Sequence, residues 1–529
     1  MLLVYMQGKI YIKIFLALVV FVISVAAYYY PVHKKGYAPG ADHQNLMEAR
    51  NFALAGTYRI ENSTGVLLSS ESAKQSGVEK GIFNPLTPII YGQVFKSFGF
   101  KPDLPLHVSI VLFSLFNVLI FLLAKRLFGL VVGFVSAIAC VFLPVMAVGA
   151  IHGGFYEWAM IFFVLGLWFY LGSKKGPFQA DGSRVLIASV FFGLAALSRN
   201  AFAISFVPLF LHDFFIHRAY KRSLTFLVPF IIIFGSTLTP VSWLGVPNSY
   251  YTDIEHQSFD LIGHFFRDPY SYFYDKENYI KEMSEKGLNR VGVLFATQWG
   301  YDVSFSERIS AYKDSLGFYI RQIIDLTSTG GPLILGLMFL GLIHLYNVNK
   351  RMFGLFSLWG LLWMGYLVYD KTGNWDHVME IAFVLAVLIG LGLYRLVELL
   401  SLGSLKKMAA ASALIILFVG HMGYATKWRL HDIYRSSNEE LVLTIADQLR
   451  KQPNLSGTYA VGIHPASVYS LNYRLNHDVV YFDSKTIESL LAREKLQEAF
   501  NTYGITAVVG YDDDLTSEIQ SQTGVRALP

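Results

Sequence analysis

About eleven mostly apolar stretches of 14 to 22 residues recur along this chain of 529 residues. A helix of about 20 apolar residues is long enough to cross the hydrocarbon core of a membrane. Only 15% of the residues are charged, whereas soluble proteins carry about 25%, so a soluble enzyme is excluded. The sequence predicts a mostly α-helical polytopic protein with spans near 10–30, 104–124, 128–148, 155–172, 185–198, 201–216, 224–245, 331–347, 352–369, 377–395 and 408–425.

Three of these spans allow a second interpretation. The pair at 185–198 and 201–216 is short and is separated only by Arg199-Asn200, so it is either two spans or one broken helix. The first stretch resembles a signal peptide in having Lys9 and Lys13 before an apolar run. It is long and lacks a small-residue cleavage site, so we predict a retained first span.

The basic residues predict the orientation. If the N-terminus is cytoplasmic, the cytoplasmic connections hold about fifteen Lys and Arg against two acidic residues, Asp181 and Glu398. The short connections on the other side carry Arg199 and Lys371. Because basic loops stay on the cytoplasmic side, we predict a multi-pass membrane protein with a cytoplasmic N-terminus. The chain length and compact loops favour a bacterial inner membrane.

This orientation leaves two long loops, at 31–103 and 246–330, and a tail outside the cytoplasm. We predict a transmembrane domain over 1–425, including both loops, and a small extracytoplasmic α/β domain over 426–529. The tail alternates a helical pattern at 438–451 with the strand-like runs TYAVGI, DVVYFD and ITAVVGY and a second helix, SLLAREKLQEAF. Such alternation is typical of βα units. The triple acid Asp512–Asp514 is interpreted as a solvated turn in preference to a divalent-ion site.

Ionisable residues at membrane depth tend to be functional. Asp42 follows a Pro39-Gly40 turn and begins a helix-like stretch, so it is either a helix cap or a carboxylate facing a cavity at the outer surface. His152 lies in a Gly-rich turn between two spans, and Glu157 begins the next span. A glutamate favoured by the helix dipole is the alternative interpretation of Glu157.

Arg199 interrupts nearly thirty apolar residues and needs an anionic partner from the protein or from a ligand. The segment YDKTGNWDHVMEIAF adds Lys371 and Asp376, with Glu380 about one turn into the next span. An ordinary polar loop with a helix cap at Asp376 is the alternative.

The sequence has no phosphate-binding loop, dinucleotide fingerprint, HExxH or GxSxG motif, which excludes the enzyme classes that depend on them.

The order of these segments resembles the GT-C superfamily of membrane glycosyltransferases, and especially the branch with protein O-mannosyltransferases and the lipid A aminoarabinose transferase. The resemblance covers residues 10–245, and the later spans match by topology. Many relatives have a second acid directly after the loop Asp, where this chain has His43. The matching segments in order are GADHQNLMEARNFALAGTY, FNPLTPIIYGQVFKSFG, AKRLFGLVVGFVSAIACVFLP, HGGFYEWAMIFFVLGLWFYL and FFGLAALSRNAFAISFVPLFL.

The resemblance implies an inverting glycosyltransferase that moves a sugar from a polyprenyl-phosphate donor to a hydroxyl on an envelope lipid, glycan or protein. Asp42 would act as the catalytic base. The leaving lipid phosphate would be neutralised by cations, in the order Arg199, Lys371 and Arg50. The remaining substrate-binding residues would be Glu157, His152, Asp376 and Asn84.

The resemblance implies that no cofactor is required, because the donor is already activated. A divalent cation is compatible with this set of residues but is not demanded by it, and no metal ligands are assigned. The partners would be the lipid-linked donor, the acceptor and the membrane, with no nucleic acid. Two alternatives remain: a transporter or flippase of lipid-linked sugars, and a non-catalytic scaffold whose tail binds a partner.

Overall fold

A computed structural model describes most of the chain, and its contacts divide it into two compact units. The helical unit comprises Met1–Gly36, Leu106–Ser236 and Arg308–Asp432; the α/β unit comprises Tyr37–Pro105, Thr237–Glu307 and Ile433–Pro529. The predicted loop at 246–330 lies almost entirely outside the described residues. These are 2–35, 43–60, 66–75, 84–154, 156–172, 181–216, 218–236, 313, 316–317, 319–322, 324–325, 330–370, 375–400, 403–435, 439–451, 457–463, 465–482 and 484–528.

Helices dominate the described chain. In order they are α1 (Leu2–Lys35), α2 (His43–Ala55), α3 (Ser70–Gln75), α4 (Leu86–Phe98), α5 (Leu104–Phe128), α6 (Leu130–Phe142), α7 (Pro144–His152), α8 (Glu157–Leu171), α9 (Gly182–Ser198), α10 (Ala203–Leu211), α11 (Tyr220–Gly235), α12 (Pro332–Val348), α13 (Lys350–Asp370), α14 (Ala382–Leu399), α15 (Ser404–Arg435), α16 (Glu439–Arg450), α17 (Pro465–Leu475), α18 (Ser484–Ala492), α19 (Leu496–Tyr503) and α20 (Asp513–Thr523). Short 3-10 helices occupy Asn200–Phe202 and Trp375–Ile381.

Several of these helices are long and apolar enough to cross a membrane. By length and composition four helices of the described chain qualify, and the bent pair α6–α7 makes a fifth. Shorter apolar helices occupy Glu157–Leu171, Gly182–Ser198, Asn200–Ile216 and Pro332–Val348. The chain is a mostly α-helical, multi-pass membrane protein, and the number of about eleven spans stays a prediction. The four long helices are Tyr11–His33, Leu104–Phe128, Val378–Leu399 and Ala409–Ile433.

The predicted span at 128–148 is broken rather than continuous. Leu143 has extended backbone angles because the following proline disfavours the helical conformation. Pro144 then begins α7, a position where its missing N–H costs no hydrogen bond. The two helices therefore meet at an angle of 61°, and α7 carries the chain to His152.

Glycines allow α12 and α14 to pack with their backbones in close approach. A Cβ added to Gly341 would collide with the carbonyl oxygen of Leu388, and one added to Gly392 would collide with that of Leu337. Small residues serve this purpose in membrane helices, where packing rather than water exclusion drives association. This close approach anchors α14, which follows the 3-10 helix Trp375–Ile381.

The α/β unit contains a parallel sheet of four strands in the order β2-β1-β3-β4, namely β1 (Thr458–Val461), β2 (Val479–Tyr481), β3 (Ile505–Val509) and β4 (Arg526–Leu528). The first three coincide with the predicted strand-like runs, whereas β4 was not expected. The predicted second helix is two helices, α18 and α19. They are separated where Glu494 has a positive φ of 57°, which a continuous helix does not tolerate.

Part of the first predicted outer loop completes this sheet. Leu67 pairs antiparallel with Val479 through hydrogen bonds of 2.8 and 3.0 Å, and so covers the edge of β2. Val66 and Leu68 lie in one hydrophobic core with Phe482 of the tail. The sequence assigns this loop to the transmembrane domain, and its described residues lie in the same compact unit as the tail. The open edge of a parallel sheet needs such a partner, and here a distant segment supplies it.

Candidate functional site

A buried polar turn links α7 to α8 in the helical unit. His152 ends α7 and is buried, and Gly153 and Gly154 follow with positive φ values of 60° and 83°, which glycine adopts at low cost. The turn brings the Gly154 N–H to the Glu157 carboxylate at 2.8 Å. Glu157 is 1% exposed. The carboxylate is therefore held by the backbone of the turn that precedes α8.

Arg199 lies at the break between α9 and the 3-10 helix Asn200–Phe202, as the sequence predicted. Its guanidinium stacks over the Tyr156 ring at 4.1 Å from the ring centroid, and its Nε lies 3.9 Å from Oε1 of Glu380. The Arg199 and Glu380 side chains are 9% and 0% exposed. A buried charge needs a partner of opposite sign, so Glu380 is the anionic partner that the sequence required.

Breaks in the helices assemble this cluster. Glu380 lies in the 3-10 helix before α14, and its carbonyl oxygen accepts a hydrogen bond from the Ser205 hydroxyl at 3.1 Å. Tyr156 directly precedes Glu157 and stacks on Arg199, so it joins the α7–α8 turn to the α9–α10 break. A buried guanidinium with a carboxylate close by interacts strongly with charged and polar groups, because little water screens the charges. We call Tyr156, Arg199 and Glu380 the arginine cluster.

Three predicted site residues cannot be located in this cluster. Asp42 and Lys371 lie outside the described residues, and only the backbone of Asp376 is described, within Trp375–Ile381. The described part of this segment begins with α2 at His43. The roles of these three residues stay predictions.

Arg50 is fully buried in the α/β unit and is bound by the protein itself. Nε donates to Oδ1 of Asn51 at 3.0 Å. Nη1 donates to the carbonyl oxygens of Asn472 and Tyr473 at 2.6 and 3.3 Å, and Nη2 to the carbonyl of Leu68 and Oδ1 of Asn472, both at 3.0 Å. All five N–H groups of the guanidinium are thereby engaged. The prediction that Arg50 neutralises a lipid phosphate does not fit this geometry, and Arg50 instead joins α2 to the tail.

The surroundings of Arg50 are shielded from solvent. Burial lowers the pKa of the Arg50 guanidinium to about 9, which still leaves it charged at neutral pH. Burial likewise raises the pKa of the Tyr473 phenol, whose hydroxyl donates to the carbonyl of Pro102 at 3.1 Å. The His43 ring lies 5.5 Å from the Tyr473 ring, so the first residue of α2 also packs against the tail. Asn84 is buried just before α4, and its substrate-binding role stays a prediction.

Tyr156 and Glu380 are members of the arginine cluster that the sequence did not assign as site residues. The signal for Glu380 was its position about one turn into an apolar helix. Tyr156 gave no signal beyond its place next to Glu157. In the parts of the chain that the structure describes, no group of three or more His, Cys, Asp or Glu side chains could hold a metal ion.

Comparison with known proteins places the fold. The structure is similar to that of ArnT from Cupriavidus metallidurans bound to undecaprenyl phosphate, with a TM-score of 0.52, 13% identity, and coverage of 98% of this chain and 90% of that one. It is also similar to the oligosaccharyltransferase AglB from Archaeoglobus fulgidus in complex with an inhibitory peptide and a dolichol-phosphate, with a TM-score of 0.56, 13% identity, and coverage of 94% and 69%. At this identity the similarity is one of fold, and at that level it confirms the resemblance noted in the sequence. No protein-family profile and no curated protein matches the chain.

Proposed function

We propose that the protein is an inverting glycosyltransferase that takes a sugar from a polyprenyl-phosphate donor. The acceptor is a hydroxyl on an envelope lipid, glycan or protein at the outer face of the membrane. Support comes from the GT-C fold, since two proteins that share it have been captured with undecaprenyl phosphate and with dolichol-phosphate. The proposed orientation has the N-terminus in the cytoplasm, and the proposed location is a bacterial inner membrane.

The observation that carries the proposal is the buried guanidinium of Arg199, held between Tyr156 and Glu380 at a break in the helices. The leaving group of the reaction is a lipid phosphate, which gains negative charge as the sugar departs. A guanidinium bonds two phosphate oxygens at once and is therefore a strong partner for this group. A preorganised cation in a site that excludes water lowers the energy of the charge that develops in the transition state.

The remaining residues transfer the proton and position the sugar. The acceptor oxygen attacks the anomeric carbon from the face opposite the phosphate, and the bond between that carbon and the phosphate oxygen breaks with its electron pair on the phosphate. Asp42 takes the proton from the acceptor hydroxyl as the new bond forms. Glu157 and His152, which lie on the same turn, orient the sugar hydroxyls. No ATP or nicotinamide is needed, because the phosphate linkage already activates the sugar.

Mass spectrometry of lipids and envelope glycans, from cells with and without the protein, tests this proposal. Loss of one sugar residue in the cells that lack the protein identifies the donor sugar and the acceptor together. Restoring the wild type should return the sugar, whereas Asp42→Asn and Arg199→Gln should not. Asp447→Asn is the matched control, because Asp447 has an exposed side chain in the tail.

Two outcomes would contradict the proposal. Full sugar modification with both Asp42→Asn and Arg199→Gln would remove these residues from the reaction. Movement of a lipid-linked sugar across vesicles that contain the purified protein, with no covalent product, would instead support a transporter.

A further inference from the structure

A second charged cluster lies in the helical unit, where α5 and α8 end and α9 begins. Three of its cations lie over aromatic rings. Lys125 Nζ is 5.8 Å from the centroid of Phe121, and Arg126 Cζ is 5.5 Å from that of Trp168. Arg184 Cζ is 5.4 Å from the centroid of Phe169. We call these three cations, with Lys13 of α1, the basic–aromatic cluster.

The fold holds these like charges near one another. Arg126 and Arg184 are within electrostatic range of each other, and so are Lys125 and Lys13. Arg184 is fixed in place because its Nη2 donates to the carbonyl oxygens of Trp168 and Gly172, both at 3.2 Å. These are carbonyls at the C-terminus of α8, where a cation is favoured by the helix dipole.

Asp181, which lies beside this cluster in sequence, caps a helix. The Asp181 carboxylate accepts a hydrogen bond from the backbone N–H of Arg184 at 3.0 Å and from the Ser183 hydroxyl at 2.9 Å, and so caps α9. Four cations against this one carboxylate leave the named groups with an excess of positive charge. Like charges held close together repel, and an anion bound between them removes this cost.

We propose that the basic–aromatic cluster binds the phosphate headgroup of an anionic phospholipid. Its cations lie at the ends of apolar helices, where basic pockets between membrane helices bind anionic headgroups. Aromatic rings at the same level are typical of the membrane–water interface, so acyl chains can lie along the apolar surfaces while the headgroup meets the guanidinium groups. Arg126 and Arg184 both contact Trp168, and their guanidinium groups supply the paired donors that phosphate oxygens accept.

This site is separate from the arginine cluster and does not rest on the proposed glycosyltransferase activity. Glu157 begins α8 and Trp168 lies near its other end, so the helix of 15 residues, about 22 Å long, separates the two regions. Likewise, Arg184 is in the first turn of α9, whereas Arg199 follows its last residue. In the predicted orientation, the lipid comes from the cytoplasmic leaflet.

The test is native mass spectrometry of the purified full-length protein with dioleoyl-phosphatidylglycerol, and with dioleoyl-phosphatidylcholine as the uncharged comparison. The wild type should retain phosphatidylglycerol in preference to phosphatidylcholine. The variant Arg126→Gln/Arg184→Gln should bind phosphatidylglycerol roughly tenfold more weakly or worse. The matched control is Lys221→Gln/Lys350→Gln, which removes the same charge and includes a lysine over a tyrosine ring, 5.6 Å from its centroid.

The outcomes are decisive in both directions. Equal loss in the test and control variants would overturn the proposal, because the effect would then follow net charge alone. Displacement of the bound lipid by millimolar inorganic phosphate would also overturn it in favour of a free-anion site. Should the double variant fail to fold, Arg126→Gln leaves the Arg184 cap of α8 intact and must still weaken phosphatidylglycerol binding.

Discussion

Replacing Arg50 by methionine is expected to loosen the α/β unit where its two distant segments meet. The guanidinium gives all five N–H groups to acceptors within this unit, and three of those acceptors belong to Asn472 and Tyr473 of the tail. Methionine fills a similar volume but donates nothing. The carbonyls of Leu68, Asn472 and Tyr473 then stay buried with fewer donors.

The magnitude follows from these contacts. A buried acceptor left without a donor costs about 1–3 kcal/mol, although water entry and rearrangement recover part of it. Removing the charge also ends the cost of burying it, so the net loss is smaller than the sum. A hydrogen bond to a charged group contributes about 1.5–3 kcal/mol, so the loss of five, less these offsets, is expected to cost about 3–5 kcal/mol. For a unit of this size, that lowers the melting temperature by about 6–20 °C.

Hydrogen exchange of the purified full-length protein, followed by mass spectrometry, measures this effect locally. Arg50→Met should speed exchange at residues 66–68 and 479–481, where the loop pairs with β2. Arg50→Lys keeps the charge but not the fork of donors, and an intermediate effect is expected. The control is Arg450→Met, because Arg450 is about half exposed and pairs with exposed Asp447. Equal protection in the Arg50→Met and Arg450→Met variants would refute the reasoning.

Three further predictions follow from other regions. The variant Arg199→Gln/Glu380→Gln removes both buried charges, so it should fold with a stability change within about 1–2 kcal/mol yet lose sugar transfer at least about 100-fold. Activity restored to the wild-type level by this double change would show that Arg199 serves the fold. Burial lowers the pKa of His477 below its usual 6.5, so the unfolded chain takes up the proton first. Stability of the α/β unit should therefore be full above pH 6.5 and fall as the pH drops below it, and His477→Gln should flatten this part of the thermal-unfolding profile. Gly392→Ala pushes a methyl group against the facing helix and should cost about 1–3 kcal/mol, whereas Gly336→Ala meets open space and should cost nothing measurable by thermal shift.

Local patterns predicted the elements well. The strand-like runs in the tail have β-branched and aromatic residues, and they form β1, β2 and β3. The polar pair Arg199-Asn200 indicated an interruption between the apolar stretches 185–198 and 201–216, and α9 ends at Ser198. Apolar length overstated the continuity of the span at 128–148, since Pro144 redirects the backbone at a point that hydropathy does not register.

Contacts between residues far apart in the sequence could not be predicted from local patterns. The sequence interpretation gives Arg50 a lipid phosphate as its partner, because a cation needs an anion to neutralise it. Its actual partners are mostly backbone carbonyls, which every residue carries and which leave no mark in the sequence. The pairing of Leu67 with Val479 is equally hidden, because a single bridging residue has no periodicity. Glu380 was within reach of prediction, because a buried arginine requires an acid and few acids lie in the apolar segments.

The bridge between Leu67 and the tail also determines when, during synthesis, the sheet can be completed. The carbonyl of Leu67 accepts a hydrogen bond from Asn472, which is 405 residues further along the chain. At about 5–20 residues per second, the loop waits roughly 20–80 s for the strand that it covers. The segment that carries Asp42 therefore emerges early and gains its neighbours in the tail last. Each newly made molecule must pass through a long interval in which its apolar helices are synthesised but its sheet is unfinished.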